Sequence, residues 1–451
     1  MKNAYSRLMD HHFKLQRRHQ ARLCLIALIV GALSFGIAVL LLMSIHFFTQ
    51  LFYFHQFSLQ EAKPDPRHLG VFSILIPVVG GFLVGLMARF GSMAIRGHGI
   101  PEAMEKILLD ESRIPKKLLF LKPISSAIAI GSGGPFGAEG PIIATGGALG
   151  SLLGQIFPLT KFERKVLLSC GAAGGMTAIF GTPVAAVLLA IELLLFEFQA
   201  QSFIPVALSA VMATVLRSAF YSTAPFFEMP TITSMTLTQL PLYLMSGLIF
   251  GLLSILITKS VYFIEDLYDK LPLHWMWWPM IGGLAVGIIG WIEPLSLGVG
   301  YANIQTAISG NMPVMAALLL CFWKFCSWTL ALSSGTSGGT LAPLLTFGSL
   351  SGFALGILIK TIYPASDIDV HVLALIGMAA VFAGCSRALF ASIIFALEAT
   401  RQPLGLAPLL GACALSYLIS HWWMKTSIMT EKIVRRGVHV PSDYFPQSKA
   451  P

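Results

Sequence analysis

A single acid framed by glycines is the residue in this chain best suited to chemistry. Glu139 lies in IGSGGPFGAEGPIIATGG, residues 130–147, just ahead of Pro141 and an apolar stretch. Proline in a first helical turn with glycine before it is a helix-start signature. A helix start presents unpaired N–H groups and the positive end of the helix dipole, and together these attract anions. The repeat-like segment GGTLAP, Gly338–Pro343, offers the same device a second time. Two such ends aimed at one pocket would make an anion cradle of backbone amides, with no fixed cation to hold the ion too tightly. A carboxylate in that setting is either a movable competitor for the anion or a plain helix cap. If the setting is a membrane, its cost argues for function.

A second chemistry must be weighed at the same loop. GTSGG, Gly335–Gly339, satisfies the G-x-S-x-G pattern of serine hydrolases. A nucleophile elbow needs a strand before it, however, and Ser337 follows the helical apolar run SWTLALSS. No histidine in a matching small-residue helix offers itself as base. An intramembrane serine hydrolase is therefore a remote alternative, and no enzymatic activity is expected.

The elements that must position Glu139 are membrane elements. Of 451 residues, 55% are hydrophobic and 11% charged, against roughly 25% charged in soluble domains. The net charge of +9 gathers near the two ends, which argues against a nucleic-acid partner. Residues 1–24 carry Lys2, Arg7, Lys14, Arg17, Arg18 and Arg22 against Asp10, and the far end carries Lys425, Lys432, Arg435 and Arg436. The positive-inside bias places both ends in the cytoplasm. Leu23 to Phe54 is too long for a signal-peptide core and reads as a long tilted helix. The six cysteines show no C-x-x-C spacing, so neither a metal site, a disulfide framework nor a cofactor is expected.

Beyond that helix many of the apolar segments run only about 12 to 18 residues before Gly or Pro breaks them, where a simple span needs roughly 20. Broken segments at membrane depth are tolerated only inside protein or beside a watery cavity. An internal repeat orders them. Pro77, Gly80, Gly81 and Gly85 recur at Pro279, Gly282, Gly283 and Gly287, and Gly137, Pro141, Gly146, Gly150 and Gly154 recur at Gly339, Pro343, Gly348, Gly352 and Gly356, all at an offset of 202. Gly171 to Glu192 then matches Gly377 to Glu398 at 206. The reading is an all-α polytopic membrane protein of two transmembrane repeats, residues 25–225 and 226–425, between a basic 1–24 segment and a 426–451 segment holding a last pore helix and a short tail. Transporters built from two such halves bind substrate at the interface near the midplane.

The segments GHGIPEAM (Gly97 to Met104), GAEGP (Gly137 to Pro141) and GTLAP (Gly339 to Pro343) resemble the CLC chloride channels and proton/chloride exchangers, over about residues 25 to 437. The resemblance implies two inverted-topology repeats of tilted and broken helices, about 18 helices per subunit, and a homodimer in which each subunit has its own pore for chloride. It implies a gating role for Glu139 and anion contacts from Gly97, His98, Gly99, Ile100 and Pro101, from Gly137, Ala138 and Gly140, from Gly339, Thr340, Leu341 and Ala342, and from Met429. It places the protein as a multi-pass component of a bacterial-type inner or plasma membrane.

Three departures qualify the expected function. The family's pore serine falls at His98, its inner proton-transfer glutamate at Leu193, and its pore tyrosine at Met429 in SIMTEKI. Backbone amides, Leu341's among them, must then do most of the coordination, with the His98 ring as a further donor. His98 could also carry a proton, since imidazole titrates near neutral pH, or merely cap its loop. Glu192 sits roughly 100° around a helix from Leu193, and because Glu398 repeats it, it reads as a structural partner. Leucine holds no proton, so the expectation is uncoupled or weakly proton-coupled chloride conduction. Proton-coupled chloride antiport is the first alternative, and a fluoride or nitrate carrier the second. Lys324 and Arg387 are left to snorkel or to pair with acids.

Overall fold

Glycine and proline punctuate an otherwise apolar chain, and the helices break where they fall. The computed structural model describes residues 2–441 apart from 234 and 237, with side chains from residue 18 onward. The basic side chains at positions 2–17 and the end of the 426–451 segment lie outside the described residues. Among the described residues there are seventeen α-helices and no strand, beside the expected 18 or so. Eight helices are long and apolar enough to cross a membrane, from Arg18–Phe54 to Pro403–Trp423. Shorter apolar helices, such as Leu118–Gly131 and Val370–Ser386, are packed inside the protein, where neighbours can satisfy their free ends. The protein is an integral, multi-pass membrane protein.

Small residues let the two halves approach closely, as membrane helices require in the absence of a hydrophobic drive. A Cβ added at Gly81 would overlap the carbonyl oxygen of Pro279, and one at Gly283 would overlap that of Pro77. Gly85 meets Met276 and Gly287 meets Ile74 in the same way. Along Leu75–Phe90 the numbers rise as those of Trp278–Ile292 fall, so the two helices pack antiparallel about a local two-fold axis. Both belong to candidate spans. An axis perpendicular to two spanning helices lies in the membrane plane, so the repeats are inverted.

The same symmetry places two acids. The Glu192 carboxylate accepts the N–H groups of Phe390 and Ala391, both at 2.9 Å, at the start of Leu389–Thr400. Glu398 accepts those of Val184 and Ala185 at 3.1 and 2.8 Å, at the start of Pro183–Ala190. Each half thus caps a helix of the other, where a carboxylate satisfies orphan donors and opposes the dipole.

The glycine seam yields a stability prediction. Gly283→Ala drives a methyl into the Pro77 carbonyl, a backbone group that cannot step aside, and should cost about 1–3 kcal/mol. Gly36→Ala meets nothing within 4 Å and should hold or slightly raise stability. Thermal unfolding of both variants in detergent checks the contrast, and equal midpoints would remove the seam from the account.

Candidate functional site

Gly137 and Gly339 exchange both of their N–H···O=C bonds, at 3.3 and 3.1 Å. They are repeat mates, so the local two-fold passes between them. Each leads straight into a helix start, Glu139–Ile156 on one side and Leu341–Ile362 on the other. The two sets of orphan amides therefore open onto one spot, from opposite halves.

A third turn closes the spot. Gly97 donates to the Thr336 carbonyl at 3.3 Å, and a Cβ at Gly99 would overlap the Gly140 carbonyl oxygen, while one at Gly140 would overlap that of His98. Gly97 and Gly99 have φ of +110° and +96°, a region that favours glycine, so the turn needs them both for conformation and for closeness. Glu102 fixes it by accepting the Gly99 N–H at 2.6 Å. The segments 97–101, 137–141 and 339–343 thus meet in one place, largely buried.

Two buried lysines hold this geometry. Lys122 Nζ donates to the carbonyls of Ile95 and Gly97 at 2.8 and 3.0 Å. Its repeat mate Lys324 donates to Ser296 and Gly298, both at 3.0 Å. Lys324 is fully buried and does not snorkel. Each ammonium staples a G-x-G turn, GHG in the first half and GVG in the second, and Gly298 in turn donates to Gly133 at 3.0 Å. The two turns are the same structure used twice.

Glu139 occupies the centre. It is fully buried, and its Oε1 accepts the hydroxyl of Tyr301 at 2.6 Å. The backbone N–H groups of Glu139 and Ala342 face the carboxylate, yet Oε2 closes no hydrogen bond. A buried acceptor left open is costly. The carboxylate thus fills the region where the two helix starts converge. Tyr301 escaped sequence reasoning, although a signal existed: GVGYA at 298–302 repeats GHGIP at 97–101 one residue short of the usual offset.

The comparisons with known proteins agree with this architecture. A family model described as voltage gated chloride channel matches residues 79–421. The chain belongs to that family. Among curated relatives, the H(+)/Cl(-) exchange transporter ClcA of Salmonella typhi is 31% identical over 362 residues, covering 78% of this chain and 75% of its own. The ClcA of Klebsiella pneumoniae subsp. pneumoniae is 30% identical over 361 residues, with the same coverage of 78% and 75%. Among solved structures, a slow cyanobacterial Cl-/H+ antiporter superposes with a TM-score of 0.82 at 22% identity, covering 92% of this chain and 98% of the other. A CLC-type fluoride/proton antiporter reaches 0.74 at 22% identity, covering 91% and 97%.

The positions where this voltage gated chloride channel family member departs from the motifs are all buried. His98 leaves Nδ1 without a partner, so that nitrogen does not cap the loop. Leu193 lies in the π-helical turn Ile191–Leu195, which packs against Ile100–Leu109, the helix that follows the His98 turn. Met429 sits in a turn whose Ile428 carbonyl accepts the Tyr262 hydroxyl at 2.7 Å. Arg387 holds the approach to that turn by donating to the carbonyls of Met424 and Lys425. It pairs with backbone, where pairing with an acid or snorkelling was expected. Just beyond, Arg436 bridges Glu105 at 2.6 Å and ties the segment to the same helix. Ser337, the hydrolase candidate, shares its hydroxyl with Ser125 and Ser126 at 3.1 and 2.8 Å, and no histidine bonds it among the described residues.

Proposed function

We propose that this chain exchanges chloride for protons across its membrane, with Glu139 as both gate and proton carrier. The observation that carries the reading is the position of the carboxylate. It sits where two inverted helix starts aim their amides, the place best suited to a permeant anion. Ionised, the acid competes for the amides; protonated or displaced, it yields them to chloride. The proton it takes up on leaving is the one exchanged.

The curated relatives, named as proton/chloride exchange transporters at 30–31% identity, favour antiport over the uncoupled conduction that Leu193 suggested. His98 takes the second proton position in this scheme, because its backbone carbonyl closes on Gly140 at the cradle and its buried ring keeps an unpartnered nitrogen. Its donor also stands in for the absent hydroxyl at that position. The remaining anion contacts come from backbone N–H groups at Ile100, Glu139 to Gly140 and Leu341 to Ala342, since those of Gly99, Gly137 and Gly339 are bonded within the protein and Pro101 has none. The protein acts as a transporter without covalent chemistry, as a homodimer with one pathway per subunit, in a bacterial-type inner membrane with both ends in the cytoplasm.

The test uses purified protein in sealed vesicles. A chloride gradient should drive protons uphill against their own gradient. Chloride flux without proton movement would restore the uncoupled reading. Competition by fluoride and nitrate in the same vesicles identifies the preferred anion.

A further inference from the structure

Tyr301 reaches Glu139 from the other half of the molecule, 162 residues away in the chain, and its position does not depend on that contact. It is the first residue of Tyr301–Ile308, entered through Gly300 at φ +89°. The turn ahead of it is pinned by Lys324 through Ser296 and Gly298. Its ring stands edge-on to Phe180 and Phe226, with centroids 5.7 and 5.3 Å away. Backbone, ammonium and aromatic neighbours therefore fix where the hydroxyl points.

The inverted repeat supplies an internal control. The matching turn of the first half, pinned by Lys122, has Ile100 at this place. The turn is therefore built without a hydroxyl in one half, so the fold does not need the one in the other. What the hydroxyl meets is an ionisable oxygen in the cradle, and a hydrogen bond to a charged group is among the stronger ones.

We propose that Tyr301 is a positioning residue that latches the ionised Glu139 carboxylate in the amide cradle, and so limits how readily a permeant anion replaces it. This rests on the reading of Glu139 as the gate. The carboxylate leaves only when protonation or an incoming anion outweighs both the amides and the tyrosine.

Tyr301→Phe removes the oxygen and keeps the ring between its aromatic neighbours. In chloride-loaded vesicles its turnover at low chloride should rise about ten-fold, the lower end of what a charged hydrogen bond supports. Half-saturating chloride should fall by a similar factor. Placed in the Glu139→Gln background, the same substitution should change both quantities far less, because the amide oxygen still accepts the hydroxyl but no longer as a charged partner. Unchanged turnover in Tyr301→Phe, while Glu139→Gln still loses proton movement, would overturn the latch and leave the gate standing. Lower flux in the double variant than in Glu139→Gln alone would make Tyr301 a structural support and overturn the latch too. A Glu139→Gln protein that moves protons like the parent would remove the gate itself.

Discussion

Glu139→Gln should abolish chloride-driven proton movement while chloride continues to pass. The amide side chain keeps the size of the carboxylate but carries neither charge nor an exchangeable acid proton. It cannot compete electrostatically for the converging N–H groups of Glu139–Ile156 and Leu341–Ile362, and it cannot ferry a proton. Loss of a positioned proton-transfer group typically costs about 10²–10⁴-fold, so proton flux should fall by at least about a hundred-fold. Chloride flux should persist and lose its dependence on pH, since the titrating competitor is gone. Proton and chloride electrodes recording together on one vesicle suspension give both numbers. Loss of both fluxes in a folded protein would point to Glu139 as a scaffold.

Gly339→Ala and Gly137→Ala should part ways, although symmetry makes them equivalent glycines. A methyl at Gly339 would overlap the Gly137 carbonyl oxygen and reach 3.0 Å from the Gly140 nitrogen. Those are backbone atoms of two turns bonded to each other, and nothing can yield without opening the Gly137–Gly339 pair. Chloride flux should drop more than about ten-fold, as expected when site geometry slips. A methyl at Gly137 would instead overlap Glu139 Oε2, the mobile end of a side chain, with Ala342 Cβ next at 3.1 Å. The carboxylate should swing out, and the variant should resemble Glu139→Gln, conducting chloride with little proton movement. Flux assays on the pair, beside Glu139→Gln, check the asymmetry. Equal losses would mean that both glycines serve the fold alone.

Glu139 and its frame could be read from residues because glycine spacing is a local signal. The turns at 97–101, 137–141 and 339–343 announce close backbone approach, and the 202-residue offset announces two halves. The antiparallel seam at Gly81 and Gly283 gives that offset its inverted sense, which no single stretch of chain contains. Lys324 resisted assignment, and Lys122 passed unread, because their partners are carbonyls of a turn some 25 residues earlier, and carbonyls leave no mark in a sequence. Arg387 was opaque for the same reason. Tyr301 was hidden by its surroundings, since an aromatic residue in an apolar membrane segment reads as core. Its meaning depends on an acid in the other repeat.

The central claim is that the carboxylate and the permeant anion share one set of amides. Crystals of the protein and of Glu139→Gln grown in bromide test it through anomalous scattering. The account predicts a bromide between the amides of residues 139–140 and 341–342 in the variant, and weak or no signal there in the parent. Bromide bound away from those amides in both proteins would contradict it.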